Sequence, residues 1–559
     1  MTTTTTTTPD VTVTVIVYND AARLPRAVAS LRAQTHANIE IIISDDHSTD
    51  DTPTVARQLE AQDSRVRYLR LPENSGGCSA PRNRAIEIAR APYLMFLDSD
   101  DELPPRAVEL LLAAHREREL DFAMGACQRL RVDTGRRTTW MPHLFAERRT
   151  LENIESDTEL LFWPLSTNRM YTRDFLNRNN LRFPEGVHYE DQLFSIQAFC
   201  LAKAFTIIPD PVYVWHIEPF AAAESATISN QRHKISNVQD RIRVHRMIDD
   251  FLEKSGHAGL REAKDFKFLK HDFRLYAGDL PYRDAEWLTA FTDLVNPYLD
   301  TLSPGAYVRL PRPERVVLEL LRDGRPADAQ LAARGLGHGV APRRITADAS
   351  GVPYWGDSVP SEDRARRELD VSDLELDTRP FPSAQFRHEI TELTRGSRAT
   401  LTLSIRTYDP GLRLPIGPQR ARLVLAPGGR RMTVPFRLDP VRPGLFEGTV
   451  HLDLAAAPIP LQGFEGARHP LVVLNQQGLS NSGLLLAPLD FPTATARVDY
   501  HSGATPHQVT IEPEGRNPGR LQIRWHPVGV TASVIRPVIR KIARPRVRKV
   551  AKLVASVLR

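Results

Sequence analysis

Cysteines and long apolar stretches are both scarce in this 559-residue chain. Its three cysteines, Cys78, Cys127 and Cys200, form no CxxC pair, so we expect reduced thiols and no zinc site. No window approaches 18 uncharged apolar residues, the minimum that predicts a transmembrane helix. The first ten residues, MTTTTTTTPD, lack the basic and apolar segments of a signal peptide. We therefore expect a cytoplasmic protein with a disordered N-terminus over residues 1–10.

The chain has no net positive charge outside its C-terminal segment. The net charge is +5, but residues 531–559 carry nine Lys or Arg and no acid. Without them 64 basic residues face 68 acidic ones, so the body is not typical of a nucleic-acid binder. In the tail, cations alternate with apolar residues, and the part after Pro545 predicts a short amphipathic helix. This pattern favours binding to an anionic membrane surface over a disordered, solubilising tail.

Hydrophobic periodicity divides the rest of the chain into segments. Strands alternate with helices at first, which predicts a mostly parallel, doubly wound α/β sheet. A helical pattern follows, and then a period of two that predicts a β-sandwich. The predicted domains are an α/β domain (11–230), a helical linker domain (231–345), a linker (346–374), a β-sandwich (375–527) and the basic tail (528–559).

An acidic cluster follows the apolar strand predicted at residues 93–97. Asp98, Asp100 and Asp101 lie at the carboxyl end of this strand, where open α/β sheets bind their ligands. Oxygen ligands of this kind suit Mg²⁺ or Mn²⁺ held together with substrate phosphates. The other interpretation is a loop that caps the next helix, where Asp and Ser are favoured. The apolar strand immediately before the cluster favours the metal.

A second acidic stretch, SDDHSTD at 44–50, ends another predicted strand. Asp45 and Asp46 could accept hydrogen bonds from a base and from ribose hydroxyls. The alternative is that Asp50 or Asp51 caps the helix that begins near Thr52. Both interpretations can hold together, because they use different residues.

The segment 74–83, NSGGCSAPRN, is a glycine-rich turn followed by a cation. It lacks the lysine and the spacing of a P-loop, so we exclude that motif. A flexible turn that points Arg82 towards a phosphate or a ligand carboxylate is one interpretation. An ordinary loop with a solvated arginine is the other.

Glu190 and Asp191 stand side by side at the start of a predicted helix. Neighbouring helical residues point about 100° apart, so only one of them can face a given site. One could act as a general base while the other supports it. The alternative is a pair of acids favoured by the helix N-terminus.

Taken together, five motifs in this order resemble the family 2 glycosyltransferases of the GT-A fold. They are 15–19 (VIVYN), 44–50 (SDDHSTD), 81–83 (PRN), 96–101 (FLDSDD) and 190–194 (EDQLF). Residues 74–77 and the stretches near 165 and 183–185 are most similar to wall teichoic acid poly(ribitol phosphate) N-acetylglucosaminyltransferases. Those proteins also continue into a helical linker and immunoglobulin-like C-terminal modules.

The resemblance implies roles for individual residues. Asp191 would be the catalytic base, Glu190 its supporting neighbour, and Asp100 the ligand of Mn²⁺ or Mg²⁺. The region of Pro219 and Ala223 departs from the family, because an arginine and a histidine are expected there. Arg232, His233 or Lys234, or the metal alone, could then offset the charge of the diphosphate. The implied donor-binding residues are Ile16, Asp46, Asn74, Arg82, Asp98, Ser99, Asp100 and Ser225.

The implied function is an inverting, metal-dependent transfer of a sugar, GlcNAc or another hexose, from a UDP-sugar. The acceptor would be a hydroxyl of a cell-wall or teichoic-acid-like polymer at the inner face of the membrane. The β-sandwich would assemble subunits into a homo-oligomer or hold the polymer. Two alternatives are a capsular or exopolysaccharide transferase and a non-catalytic scaffold with a decayed transferase domain.

Overall fold

The computed structural model divides into two compact units. The first comprises Met1–Tyr276 and Asp284–Leu310, and the second Ala277–Arg283 and Pro311–Arg559. The predicted helical segment 231–345 contributes helices to both units. The domain bounds given above stay a prediction. The structure describes residues 8–132, 134–217, 231–336, 340–396, 399–425, 431–456, 466–488, 491–498, 507–514 and 519–527.

The first unit is built on a nine-stranded mixed sheet. Its strands are β1 (Val11–Val17), β2 (Ile39–Asp45), β3 (Val66–Arg70), β4 (Tyr93–Asp98), β5 (Phe122–Arg131), β6 (Arg137–Thr139), β7 (Arg149–Leu151), β8 (Arg169–Thr172) and β9 (Phe205–Ile217). Its helices, the ninth of which passes into the second unit, are α1 (Leu24–Arg32), α2 (Thr52–Gln62), α3 (Ser79–Ile88), α4 (Ala107–Glu117), α5 (Arg173–Arg178), α6 (Glu190–Leu201), α7 (Ile235–Lys254), α8 (Arg261–Lys267), α9 (Arg274–Asp279), α10 (Ala285–Leu299) and α11 (Pro304–Val308).

The strand order along the main path of the sheet is β3-β2-β1-β4-β8-β5-β9-β7, and β6 pairs with β5. The predicted βαβαβαβ order is confirmed, and β1 to β4 pair in parallel. Beyond β4 the sheet is mixed, because β8 runs antiparallel to both β4 and β5. Every residue of β1 and β2 is buried, as expected for parallel strands that helices cover on both faces.

The helices after β9 carry the apolar stripes that the sequence predicted. In α7 these include Val238, Ile242 and Ile248, which are all buried. The stripe predicted around residues 266–276 is also helical, but it contains a turn of π-helix, Phe268–Phe273, between α8 and α9. The sequence did not predict this turn. Such turns are rare and often occur at functional sites.

The second unit contains an eleven-stranded β-sheet of sandwich type. Seven strands close into a barrel-like circuit, β12-β13-β16-β15-β14-β18-β19, because β19 also pairs with β12. The clean alternation predicted at residues 400–406 is seen in the alternating burial of β13. The predicted hairpin is β14 and β15, with Ala421 opposite Phe436. The last described strand ends at Pro527, where the predicted sandwich ends.

The elements of this unit begin with three helices and a small two-stranded sheet, β10 and β11, which lies within the stretch that resembled a linker. Among the described residues, no helix combines the length and the apolar character needed to cross a bilayer. The elements are α12 (Arg312–Arg322), α13 (Pro326–Ala333), β10 (Ile345–Ala347), β11 (Pro353–Trp355), α14 (Asp363–Leu369), β12 (Arg387–Arg395), β13 (Thr400–Tyr408), β14 (Gln419–Leu425), β15 (Met432–Arg442), β16 (Leu445–Asp453), β17 (Gly466–Arg468), β18 (Leu471–Gln476), β19 (Leu479–Ala487), β20 (Ala494–Val498), β21 (His507–Glu514) and β22 (Gly519–Pro527).

Candidate active site

The carboxyl ends of β1, β2 and β4 meet at one edge of the first sheet. Ile16 lies in register with Ser44 on one side and with Asp98 on the other. The Ile16 carbonyl accepts a hydrogen bond of 3.0 Å from the Ser99 N–H. The two acidic stretches of the sequence therefore lie on neighbouring strand ends, at the edge where open α/β sheets bind ligands.

Asp46 and Asn74 contact each other after β2. The Asn74 amide donates to the Asp46 carboxylate at 3.0 Å and to its backbone carbonyl at 2.9 Å. The Ser75 N–H donates to the same carboxylate at 3.0 Å. Asp45 is fully buried and accepts hydrogen bonds from the Ser48 N–H and the Tyr68 hydroxyl. Asp46 and Asn74 thus form a preorganised loop, and Asp45 holds the beginning of this loop in place.

The acidic cluster after β4 separates into two pairs of residues. Ser99 and Asp101 are buried and tie the loop to the domain. The Ser99 hydroxyl donates to Asp20 at 2.6 Å, while Asp101 accepts from the Tyr213 hydroxyl at 2.7 Å and the His216 N–H at 2.8 Å. The Asp98 and Asp100 side chains are each about one-third exposed. These two carboxylates are therefore the ones that a ligand can reach.

The electrostatics at Asp100 favour a cation. Burial, followed by the nearby Asp98 carboxylate, raises the pKa of Asp100 to about 6, and Arg23, 3.6 Å away, opposes the shift. Among the described residues, no group of three or more His, Cys, Asp or Glu side chains makes a complete metal cage. Mg²⁺ is commonly held by one or two carboxylates plus substrate phosphates. The donor set of Asp98 and Asp100 fits a divalent cation of that kind.

Arg82 is not the solvated loop arginine of the second interpretation, and its contact with a ligand stays a prediction. It lies within α3 instead of a flexible turn, and it is 4% exposed rather than solvated. One guanidinium nitrogen donates to Asp98 at 2.8 Å and another to Glu190 at 2.7 Å. The guanidinium also lies 5.1 Å from the centre of the Phe183 ring. Arg82 is an ion-pair bridge because the fold brings two distant carboxylates to it.

The bridge connects the end of β4 to the N-terminus of α6, where Glu190 and Asp191 lie. Within the described residues, Asp191 makes no hydrogen bond and no ion pair, whereas Glu190 is held by Arg82. Burial, followed by the Glu190 charge, raises the pKa of Asp191 to about 7, against the opposing effect of Arg82, Arg241 and Lys267. A carboxylate with a raised pKa and free acceptor atoms has the properties of a general base.

Ser225, the last of the predicted donor-binding residues, lies outside the described residues, as do Pro219 and Ala223. Of the cations named as substitutes, His233 and Lys234 are exposed, and Lys234 donates to Gln231 at 2.9 Å. Nothing in the described part of the chain tests which group meets the diphosphate.

Sequence reasoning missed the residues that support the acidic loop from other elements. Arg26 donates to the Asp100 carbonyl and also pairs with Glu102 at 3.1 Å. Asp20 accepts from Ser99, and Tyr213 supports Asp101 from β9. The only available signal was the position of Asp20 and Arg26 just after β1, at the ligand-binding edge of the sheet.

This mixed α/β sheet, with acidic residues at the carboxyl ends of its parallel strands, is a GT-A-like α/β domain. Residues 12–179 match the model of "Glycosyl transferase family 2".

Two curated relatives and one solved structure show which proteins this chain is similar to. It is 29% identical over 222 residues to the poly(ribitol-phosphate) beta-N-acetylglucosaminyltransferase TarP of Staphylococcus aureus (strain N315), covering 39% of this chain and 66% of TarP. It is 28% identical over 272 residues to the succinoglycan biosynthesis protein ExoO of Rhizobium meliloti (strain 1021), covering 47% of this chain and 76% of ExoO. The chain thus spans just under two thirds of TarP.

The crystal structure of S. aureus TarS 1-349 in complex with UDP-GlcNAc matches with a TM-score of 0.50 at 19% identity. The match covers 63% of this chain and all of that one. At this identity the likeness shows the fold, which agrees with the GT-A expectation.

Proposed function

We propose that this protein is an inverting glycosyltransferase that moves a sugar from a UDP-sugar to a hydroxyl of a cell-envelope polymer. One observation carries the proposal: Arg82 joins Asp98, at the strand end, to Glu190, beside Asp191. Because of this bridge, we assign the carboxylates suited to a metal and the carboxylate suited to a base to one site. A general base and a charge-offsetting group are what transfer from a sugar diphosphate requires.

On the donor side, we assign Ile16, Asp46, Asn74, Ser99 and Ser225 to the UDP-sugar. The preformed contact between Asp46 and Asn74 supports this assignment, because a rigid loop loses little entropy on binding. Asp98 and Arg82 would bind or order the ribose and diphosphate side. Glu190 would act indirectly, by holding Arg82 beside Asp191.

Asp100, with Asp98 beside it, would hold Mn²⁺ or Mg²⁺ together with the diphosphate. When bound, the cation would supply Lewis-acid stabilisation of the charge on the departing UDP. The raised pKa of Asp100 supports this role, because a cation would relieve the repulsion between the two carboxylates. Arg23 and Arg26 hold the loop that carries Asp100 and add positive charge to this side of the site.

In the proposed reaction, the Asp191 carboxylate takes the proton of the acceptor hydroxyl. The hydroxyl oxygen forms a bond to the sugar C1 as the bond from C1 to the UDP oxygen breaks. The electron pair of that bond leaves with UDP, and the configuration at C1 inverts. General-base assistance of this kind contributes about 10²–10⁴ in rate.

GlcNAc is the donor sugar that we favour, and a poly(ribitol phosphate)-like polymer is the acceptor. The similarity to TarP, whose name states both, supports this choice. The second candidate is transfer during exopolysaccharide synthesis, which the longer match to ExoO favours. The β-sandwich would hold the polymer or assemble a homo-oligomer, and the basic tail, outside the described residues, would bind the inner face of the membrane.

The test is UDP release from UDP-GlcNAc and UDP-glucose, with Mn²⁺ or Mg²⁺, with and without poly(ribitol phosphate) and succinoglycan-type oligosaccharides. We expect release with one donor, stimulated by one acceptor and abolished in Asp191→Asn. Binding of UDP without any turnover on any pair would support the scaffold alternative and overturn the proposal.

A further inference from the structure

A buried ionic cluster lies behind the proposed base. Its centre is Asp272, a fully buried residue in the π-helical turn Phe268–Phe273. One Asp272 oxygen accepts from Arg241 at 2.7 Å, and the other accepts from His245 at 2.9 Å and from Lys267 at 2.6 Å. Three donors, two from α7 and one from α8, thus converge on one carboxylate.

The cluster carries a surplus of positive charge. Burial lowers the pKa of His245 to about 3, so this ring is neutral. Lys267 and Arg241 outweigh the effect of burial and hold the pKa of Asp272 well below its usual range. One carboxylate therefore faces a guanidinium and an ammonium. A surplus charge in a protein interior is unfavourable unless another group offsets it.

Both cations reach the N-terminus of α6, on either side of Glu190 and Asp191. Arg241 stacks 3.4 Å from the centre of the Tyr189 ring, and Lys267 donates to the Gln192 side chain at 2.6 Å. Tyr189 has a left-handed backbone, with φ of 68°, which costs a non-glycine residue free energy. The stacking on Arg241 and a hydrogen bond from the Tyr189 hydroxyl to Asn237 (2.8 Å) hold it in this conformation.

The charged groups around Asp191 come from every element packed near it. Burial and the Glu190 charge raise its pKa, and Arg82, Arg241 and Lys267 lower it. On β8, the buried Arg169 and Tyr171 also interact with Asp191. Arg241 and Lys267, two of the cations that favour the ionised base, therefore belong to the Asp272 cluster, and the Asp191 charge offsets the surplus of that cluster.

We propose that Arg241 and Lys267, which Asp272 holds in place, position Asp191 and keep it ionised as the base. These three are positioning residues, since they act through Tyr189, Gln192 and the charge on Asp191. The inference rests on the proposed function. Stability alone does not explain the cluster, because well-packed apolar residues commonly serve as well as buried ion pairs.

A second buried cluster offers a matched control. Lys264, on the same helix as Lys267, is fully buried and pairs with Asp249 and Asp265, at 2.6 Å for the latter. Arg261 pairs with the same two carboxylates, so two cations face two acids. Loss of Lys264 should destabilise the fold about as much as loss of Lys267, without changing the charge near Asp191.

The experiment measures kcat/KM for UDP release from UDP-GlcNAc with Mn²⁺ between pH 5.5 and 9. In the wild type, activity should rise as Asp191 ionises. Lys267→Met removes a cation, so the midpoint of this rise should move up by about one pH unit, the effect of a unit charge within about 10 Å. Asp272→Asn removes an anion of the same shape, so the midpoint should move down. Lys267→Arg should restore the wild-type midpoint, and Lys264→Met should leave it in place.

Shifts of opposite sign in Lys267→Met and Asp272→Asn, with lowered kcat and little change in donor KM, would support the inference. Unchanged midpoints, or shifts of equal sign, would overturn it, because a loss of stability alone would not move the midpoints of the two variants in opposite directions. If Asp272→Asn does not fold, the midpoints of Lys267→Met and Lys267→Arg are compared, and equal midpoints would overturn the inference. Asp191→Asn tests the base separately. Full turnover in that variant overturns the proposed function. If Asp191→Asn is inactive but the midpoint of Lys267→Met does not move, only this inference is overturned.

Discussion

Replacement of Arg82 by methionine should separate an ion-pair bridge from an ordinary surface arginine. Methionine keeps the packing on Phe183 but leaves the carboxylates of Asp98 and Glu190 without their cation. Removal of one partner from a buried ion pair costs about 3–5 kcal/mol. Asp98 is one-third exposed, so water screens that half of the bridge, and we take the low end, about 3 kcal/mol.

The assay is thermal unfolding of purified variants, together with UDP-GlcNAc binding in Mn²⁺. About 3 kcal/mol corresponds to a loss of about 5 °C in the melting temperature of a unit of about 300 residues. Arg84→Met is the matched control, because Arg84 lies two residues away on α3 and pairs with Glu87 at the surface, where both side chains are about half exposed. Such exposed pairs contribute below about 0.5 kcal/mol.

A double variant tests whether the lost stability comes from the unpaired charge. Glu190→Gln in the Arg82→Met background should recover about 1–2 kcal/mol, because a neutral amide tolerates burial better than a carboxylate. The reasoning is refuted if Arg82→Met melts within 2 °C of Arg84→Met (about the shift expected from a surface pair), or if the second substitution lowers stability further.

Four further predictions concern the site and the tail. Asp191→Asn should keep UDP-GlcNAc affinity and lose at least about tenfold in turnover; calorimetry and UDP release measure the two, and wild-type turnover would remove Asp191 from the mechanism. Asp100→Ala should abolish Mn²⁺-dependent UDP binding, whereas Asp101→Ala should mainly lower the melting temperature, because Asp101 holds Tyr213 and His216. The folded-state pKa of Asp100 is raised to about 6, so its ionisation destabilises the metal-free protein as the pH rises from about 4 to 6. Mn²⁺ should therefore stabilise the protein more at pH 7 than at pH 5. Equal stabilisation at both pH values would argue against Asp100 as a metal ligand. Deletion of residues 531–559 should release the protein from anionic vesicles and leave activity on a soluble acceptor unchanged, and equal pelleting of both forms would make the tail a solubilising extension.

Local sequence was sufficient for the elements that carry the site. The β-branched, apolar runs of β1 and β2 and the apolar run of β4 predicted buried parallel strands, and each ends near its predicted position. The sequence also predicted that each of the two acidic stretches, which include Asp46 and Asp98, follows the end of a strand. The same periodic reasoning identified the alternating strands of the β-sandwich.

The environment of each charged side chain depended on contacts that only the tertiary structure makes. The sequence could not show that Arg82 forms this ion pair, because its partner Glu190 lies 108 residues away along the chain. Asp101 directly follows Asp98 and Asp100 in the same loop, yet it is buried because β9 brings Tyr213 and His216 to it.

The sequence by itself determined that this chain folds into an α/β domain with acids at its strand ends, since strand and helix periods depend on neighbouring residues. Which acid keeps free acceptor atoms was decided by the tertiary structure. Burial, the Glu190 charge and cations from three helices shift the pKa of Asp191, and charge interactions depend on distance in space and not along the chain. The Asp272 cluster is the clearest case, because no local pattern links a carboxylate in a π-helical turn to the helix that carries Asp191.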